Sequence, residues 1–222
     1  MKYFKIILAV SILAIVVSTC FSFKGKKDGS TKWKSFSINK ETELKIGDII
    51  FQSSKSGQSY AVQLATGSKY SHVGMIIMDK GGLKVIEAVQ PVRITPLAEW
   101  KKQGDGGHYV VKRLVQADSL LTLQKISLLD SFSRTYLGKN YDLYFGWSND
   151  RIYCSELVWK VYKQTLGIEI GDLQKLSAFD LSNPIVKEKL KERYGNNIPM
   201  NELVISPGVM FNSNLLTLVV EK

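Results

Sequence analysis

The apolar positions of this 222-residue chain divide it into segments of different kinds. Residues 6–17 form an uncharged apolar run behind Lys2 and Lys5, and this run is too short to cross a membrane comfortably. The pattern is typical of a secretory signal. The basic and polar stretch over residues 24–34 is typical of a flexible stalk. The chain is therefore predicted to consist of a signal peptide, a stalk and one folded domain, over residues 1–20, 21–42 and 43–222.

The first half of the domain shows the short apolar runs and turn residues that are typical of β-strands. Four strands are predicted, within residues 43–51, 71–78, 83–89 and 108–115. The first of these ranges begins with a turn. The sequence Asp-Lys-Gly-Gly at residues 79–82 predicts a tight hairpin between the second and third strands. Pro91 and Pro96 are expected to end that hairpin. Ser59 is predicted to cap a short helix that ends at Gly67.

The second half changes to the spacing of amphipathic helices. Helices are predicted from Asp118 or Ser119 to Gly138, from near Cys154 to Gly167, and over residues 185–193. An aromatic-rich loop is expected over residues 140–149, and one or two strands over residues 201–220. Because strands come first and helices second, the pattern favours an α+β fold with an antiparallel sheet.

Composition and charge narrow the classes of function. Hydrophobic residues make up 45% of the chain and charged residues 23%, which excludes a largely disordered protein. The 30 basic and 20 acidic residues give a formal charge of +10. A basic exported protein favours anionic surfaces such as phospholipid or cell-wall polymer, and nucleic acid is not an expected partner. Most positive charges are scattered along the chain, as expected for a solvated surface.

The end of the apolar run indicates how the protein is held at a membrane. The sequence Val-Ser-Thr-Cys at residues 17–20 is similar to a bacterial lipoprotein cleavage site, after which Cys20 would carry lipid. Thr19 departs from the small residue usual at its position. The alternative is an uncleaved anchor over residues 3–23. In either case we expect an exported protein of the cell envelope, attached to the bacterial membrane through its N-terminus.

Cysteine usage points to one reactive residue. The chain has two cysteines, Cys20 and Cys154, so a domain without Cys20 keeps a single thiol and forms no internal disulfide. Cys154 is predicted to start a helix, where free N–H groups and the helix dipole lower a thiol pKa. The same N–H groups can stabilise an oxyanion on a carbonyl that the sulfur attacks. The alternative is a small buried apolar residue, which is common for a lone cysteine.

A cysteine nucleophile requires a base, and the chain has two histidines. His72 is predicted to lie on a strand, whereas His108 follows two glycines of a loop and is expected to be an ordinary surface residue. The spacing of these histidines and of Cys154 does not resemble that of zinc ligands, so no metal site is predicted.

Glu87 is a candidate partner for His72. If the hairpin has a two-residue turn, Gly74 faces Glu87, and alternation places Glu87 on the same face as His72. A carboxylate diagonally opposite can reach the imidazole and hold its tautomer. A three-residue turn would place Glu87 on the other face. Glu87 could also be an ordinary charge that faces solvent.

Several short motifs resemble those of the YiiX/YebB-like cysteine hydrolases, a circularly permuted branch of the NlpC-type, papain-like amidases. They are the runs at residues 47–50, 71–76, 138–142, 153–158 and 205–207, together with the strand that carries Glu87. The resemblance extends from about Leu44 to Val219, and the order and spacing of the motifs agree with the family.

This resemblance implies a permuted papain-like fold, with an antiparallel sheet or barrel packed against helices and the nucleophile at a helix N-terminus. It implies Cys154 as the nucleophile, His72 as its base and Glu87 as the residue that orients His72. The permutation explains why His72 precedes Cys154 in the chain. Tyr153 is expected to line the substrate site without a catalytic role.

The predicted function is hydrolysis of amide bonds in small peptide-like substrates, such as cell-wall fragments, through a thioester on Cys154. No metal or organic cofactor is expected. The same triad would also serve a lipid acyl hydrolase or acyltransferase. A narrow polar slot would favour a peptide, and an open apolar groove would favour an acyl chain. Two further alternatives are a non-catalytic binding module, which should have lost a triad member, and a structural envelope protein.

Overall fold

The structure is a computed structural model of the chain, and it describes residues 43–222. The predicted signal peptide, the stalk and the lipidation site at Cys20 lie outside the described residues. Within residues 43–222, no helix is both long enough and apolar enough to span a membrane.

A six-stranded antiparallel sheet forms the centre of the domain, with the strand order β10-β5-β1-β2-β3-β4. Its strands are β1 (Ile49–Gln52), β2 (His72–Asp79), β3 (Gly82–Glu87), β4 (Arg93–Pro96), β5 (Val110–Leu114) and β10 (Leu216–Glu221). Two short pairs lie outside it, β6 (Asn140–Tyr141) with β7 (Arg151–Ile152), and β8 (Gln174–Lys175) with β9 (Leu203–Val204). Among the described residues the large sheet is open and does not close into a barrel.

Seven α-helices surround the sheet in the described part of the chain. They are α1 (Gly57–Thr66), α2 (Leu97–Gln103), α3 (Ala117–Leu120), α4 (Leu123–Arg134), α5 (Cys154–Leu166), α6 (Pro184–Tyr194) and α7 (Pro207–Phe211). The main core joins Met75 of β2 to Leu157 and Val161 of α5. On the other side of the sheet, Ile76 packs with Trp100 of α2. The α+β fold with an antiparallel sheet packed against helices is therefore confirmed.

The predicted hairpin between β2 and β3 is confirmed. Asp79 pairs with Gly82, so the turn has two residues, Lys80 and Gly81. Both have positive φ angles, +47° and +77°, which is the geometry of the type I′ turn that suits the twist of two antiparallel strands. The register from Met75 opposite Ile86 continues to place Gly74 opposite Glu87.

Helix boundaries were predicted only in part. Ser56, and not Ser59, caps α1, because the Ser56 side chain accepts a hydrogen bond from the Ser59 N–H group. The predicted end at Gly67 is confirmed, with φ +62°. The helix predicted from Asp118 or Ser119 to Gly138 is two helices, α3 and α4, because Thr122 adopts an extended conformation and caps α4. The predicted end is also wrong, since α4 ends at Arg134.

Several elements were not predicted, among them β4, α2 and α7, and two of these three start or end at prolines. β4 lies between Pro91 and Pro96, the two residues that were expected to end the hairpin, and Pro96 is its last residue. Helix α2 follows directly. Pro207 occupies the first turn of α7, where its missing N–H group costs no hydrogen bond, and Ser206 caps this helix. Proline therefore marks boundaries in this chain and does not mark the absence of secondary structure.

Candidate active site

Cys154 is the first residue of α5, as predicted, and its side chain is buried. The helix start is anchored from two directions. The Glu156 carboxylate accepts a hydrogen bond from the Tyr153 N–H group at 3.3 Å, and the Ser155 hydroxyl donates to the Ile205 carbonyl at 2.8 Å. The sulfur of Cys154 also accepts hydrogen bonds from the backbone N–H groups of Val73 and Ser155.

His72 is the first residue of β2 and lies beside Cys154. Its Nε2 atom lies 2.6 Å from Oε2 of Glu87, and the ring also forms a hydrogen bond with the Cys154 thiol. Because Nε2 is bonded to Glu87, Nδ1 is the ring nitrogen that remains for Cys154. The structure thus brings together the three residues that the sequence singled out.

Glu87 is completely buried, and four groups surround its carboxylate. Besides His72, the Trp100 Nε1–H group donates to Oε2 at 2.8 Å and the Thr95 hydroxyl donates to Oε1 at 2.6 Å. Arg93 lies 3.6 Å from Oε1. A buried carboxylate is costly unless its oxygen atoms are bonded, and this set satisfies both of them.

The electrostatics of the site favour an ion pair between Cys154 and His72. Burial opposes charge on His72, but hydrogen bonds with Cys154 and Glu87 outweigh it and raise the His72 pKa to about 10. Burial also opposes the Cys154 thiolate, but the hydrogen bond with His72 and the two backbone N–H groups lower the Cys154 pKa. The neighbouring His72 likewise holds the Glu87 pKa below its ordinary value despite burial. Both directions favour the thiolate and the imidazolium over the neutral thiol and imidazole.

Trp100 and Thr95 were not recognised from the sequence as part of the site. Trp100 is fully buried, and its ring stacks on that of His72 with a centroid distance of 5.9 Å. Trp100 therefore contacts both residues, His72 through its ring and Glu87 through its Nε1–H group. Thr95 and Trp100 come from β4 and α2, elements that were not predicted, so no sequence signal connected them with the histidine.

Tyr141 is a second residue that was missed. Its hydroxyl forms a hydrogen bond with Cys154, and it accepts one from Gln58 Nε2 at 3.2 Å. Burial and the adjacent Cys154 raise the Tyr141 pKa well above its ordinary value, so the hydroxyl keeps its proton. The signal that could have found Tyr141 is its position in the 138–142 run, one of the motifs shared with the resembled family.

Tyr153 lines the cleft beside Cys154, but it is almost fully buried. Its hydroxyl accepts a hydrogen bond from the Ile205 N–H group at 3.1 Å, and its ring contacts Phe145 edge to face. Tyr153 therefore connects the helix start to the loop before α7 and shapes one wall. His108 lies elsewhere, on the surface, with Nε2 3.3 Å from a Glu221 oxygen.

A cleft of about 770 Å³, which includes space open to solvent, leads to Cys154. Its walls are mostly apolar and come from α1, α6 and the segment around Leu176. The main wall residues are Ala61, Ala65, Leu176, Phe179, Val186 and Leu190. Among the described residues that line the cleft, Lys189 and Arg193 are the charged ones. The site is therefore an open apolar groove with the thiol inside it.

This fold and site define a papain-like cysteine hydrolase in which the histidine strand precedes the cysteine helix. A family model described as "Permuted papain-like amidase enzyme, YaeF/YiiX, C92 family" matches residues 43–220. The match covers most of the chain, and the protein therefore belongs to this family.

Two similar proteins come from Escherichia coli. The protein named "Uncharacterized protein YiiX" of strain K12 is 51% identical over 176 residues, which are 79% of this chain and 86% of YiiX. The crystal structure described as that of metalloprotein yiiX from strain O157:H7, DUF1105, has 51% identity and a TM-score of 0.77. That comparison covers 80% of this chain and 97% of the other.

The description of yiiX as a metalloprotein raises the question of a metal site in this chain. Within residues 43–222, no group of three or more His, Cys, Asp or Glu side chains is arranged to hold a metal ion. The donors nearest the thiol are already engaged, because His72 Nε2 is bonded to Glu87 and both Glu87 oxygens have partners. The described residues do not fit a metal centre at this site.

Proposed function

We propose that this protein hydrolyses an amide or ester whose acyl group is apolar, with Cys154 as nucleophile, His72 as base and Glu87 as the residue that orients His72. The observation that carries the proposal is that Cys154, which lies beside His72, lines an apolar cleft. The family description favours an amide as the scissile bond.

The reaction follows from the protonation states of the site. The Cys154 thiolate attacks the carbonyl carbon and forms a C–S bond, and the negative charge moves to the carbonyl oxygen. Helix N–H groups at the start of α5 and the Tyr141 hydroxyl, itself contacted by Gln58, can donate hydrogen bonds to that oxyanion. The His72 imidazolium then gives its proton to the leaving amine or alcohol as the C–N or C–O bond breaks.

The second half of the reaction regenerates the Cys154 thiolate and the His72 imidazolium. Neutral His72 takes a proton from water, the resulting hydroxide attacks the thioester carbonyl, and the C–S bond breaks to release a carboxylic acid and the Cys154 thiolate. Glu87 accepts the Nε2–H bond throughout and keeps Nδ1 directed at the sulfur. Neither half requires a redox step.

The shape of the cleft favours an acyl chain over the cell-wall peptide expected from the sequence. A peptide has amide groups that lose hydrogen bonds to water when they enter a cleft, and apolar walls do not replace them. An acyl chain gains about 0.8 kcal/mol for each CH₂ group that it buries. From residues 1–20 we also propose that the protein is exported and attached to the bacterial membrane. This location would place the enzyme where acyl chains are abundant.

A chain-length series tests this function. The substrates are 4-nitrophenyl acetate, hexanoate and decanoate, followed by the N-acyl amides of the same acids, with the full chain and its Cys154→Ala variant. We expect kcat/KM to rise at least tenfold from acetate to decanoate, because each additional methylene is buried, and to disappear in Cys154→Ala.

Equal rates for all three chain lengths would reject the acyl cleft. Faster cleavage of short peptide amides than of any acyl substrate would restore the cell-wall peptide hypothesis. Hydrolysis that survives in Cys154→Ala would reject Cys154 as the nucleophile. A chain with no activity on any of these substrates, and an unreactive thiol, would favour the binding module.

A further inference from the structure

The charges of α6 are distributed unevenly with respect to the cleft. Lys189 and Arg193 line the cleft and are half-buried, whereas Lys187 and Lys191 of the same helix are exposed. The two lining residues are four positions apart and share a helix face with the apolar Val186 and Leu190 that form the cleft wall. Two cations therefore project from the apolar wall of a cleft that leads to the thiol.

Arg193 lies against an aromatic side chain of the cleft wall. Its guanidinium carbon lies 4.9 Å from the centroid of the Phe145 ring, and its charge acts on the Tyr141 hydroxyl, which contacts Cys154. No carboxylate of the described residues lies within 4.0 Å of its nitrogen atoms. A half-buried guanidinium without an anionic partner is well suited to bind an anion from outside the chain.

Lys189 has a partner, but an exchangeable one. Its ammonium contacts Glu192 one turn away, and the Glu192 side chain is 62% exposed. A surface ion pair of this kind contributes little free energy, so a ligand anion can replace it. A recess of about 540 Å³ shares Gln58, Lys189 and Arg193 with the cleft, so the two cations stand where the cleft meets a second space.

We propose that Lys189 and Arg193 bind an acidic group of the substrate, a carboxylate or a phosphate, on its leaving-group side. This inference rests on the proposed function and narrows it to anionic amphiphiles. The acyl chain lies against Val186 and Leu190, and the scissile carbonyl lies at Cys154. Because Lys189, Arg193 and Cys154 line the same cleft, one substrate molecule can reach both cations and the thiol.

The experiment measures binding without turnover. Iodoacetamide labelling of Cys154 in the full chain is followed by peptide mass spectrometry, so that Cys20 is counted separately. The protecting ligands are 4-oxotridecanoic acid, a non-hydrolysable ketone analogue of N-decanoylglycine, and its neutral primary amide, both below their critical micelle concentrations. We expect the acid to protect at a concentration at least tenfold lower than the amide, and this preference to shrink in 1 M salt.

Two matched double variants assign the preference to its residues. Lys189→Ala with Arg193→Ala should bring the ratio of the two protecting concentrations to within threefold. Lys187→Ala with Lys191→Ala removes the same charge, at the same spacing, from the exposed face of α6, and should leave the ratio unchanged. Because the ratio compares two ligands on one protein, a general loss of reactivity affects both and cancels.

Equal protection by the acid and the amide in the wild type would overturn the inference and leave the acyl hydrolase in place. A ratio that falls equally in both double variants would overturn it too, since net charge and not the cleft would then attract the acid. If neither ligand protects, or if 4-oxopentanoic acid with its short chain protects as well as the long acid, the acyl cleft itself is rejected.

Discussion

At the scale of single residues, reactivity depends on the charge state that Cys154 and His72 share. The hydrogen bonds of the site raise the His72 pKa to about 10 and lower that of Cys154, and both shifts favour the ion pair over the neutral pair. Proton loss from His72 removes it only as the pH rises through about 10. An ordinary thiol with a pKa of about 8.5 would be almost entirely protonated at pH 6.

We therefore predict that iodoacetamide labels Cys154 rapidly at pH 6, and that His72→Ala slows this labelling at least tenfold. Glu87→Gln should cause a smaller loss, because the ring keeps a hydrogen bond but loses the negative charge behind it. His108→Ala is the matched control, since His108 lies on the surface away from the thiol. Labelling that begins only near pH 8.5 in the wild type would exclude the ion pair.

At the scale of elements, the start of α5 contains a second titrating group. Glu156 is completely buried, and burial raises its pKa to about 7 although Lys160, 2.7 Å away, acts in the opposite direction. The unfolded chain has the ordinary value of 4.5, so the folded state binds this proton more tightly. Its contribution to stability is complete below pH 4.5 and is lost as the pH rises through 7.

Glu156→Gln should therefore gain stability relative to the wild type as the pH rises from 5 to 8, by about 3 kcal/mol at most. Glutamine keeps an acceptor for the Tyr153 N–H group and carries no charge. Urea unfolding at each pH measures the difference in free energy. Glu169→Gln makes the same change at an exposed glutamate that pairs with Lys163, and it should show no such slope. A flat difference for Glu156→Gln would contradict the raised pKa.

At the scale of the whole molecule, the cleft exists because distant segments meet. Ala65 of α1 packs with Val186 and Leu190 of α6 in its wall, although more than a hundred residues separate the two helices in the chain. The histidine strand and the cysteine helix supply the chemistry, and these other elements supply the walls. Substrate choice is therefore expected to change with wall residues that do not touch the thiol.

Filling the cleft tests that expectation. Ala65→Phe places a large ring in the groove and should reduce kcat/KM for 4-nitrophenyl decanoate at least tenfold more than for the acetate ester. Ala98→Phe makes the same substitution at an exposed position of α2 and should leave the ratio of the two rates unchanged. Equal losses on both esters in Ala65→Phe would mean that the groove does not hold the acyl chain.

The sequence by itself determined the features that depend on neighbouring residues. The Asp-Lys-Gly-Gly run predicts a tight turn between β2 and β3. The structure shows the two-residue form of that turn, which is the case in which Glu87 lies on the face of His72. Cys154 starts a helix that Gly167 ends. Turn geometry and helix boundaries are local, so the pattern of a few residues is sufficient to predict them.

Only the tertiary structure decided what surrounds these residues. Trp100 and Thr95 bind Glu87, Tyr141 contacts Cys154, and the walls of the cleft come from segments scattered over the whole domain. These contacts depend on how the elements pack. Hydrophobic burial, which drives packing, is proportional to area and has no preferred direction, so a sequence pattern indicates which residues become buried but not which of them meet. The apolar character of the cleft, and with it the preference for an acyl chain over a peptide, follows from that packing.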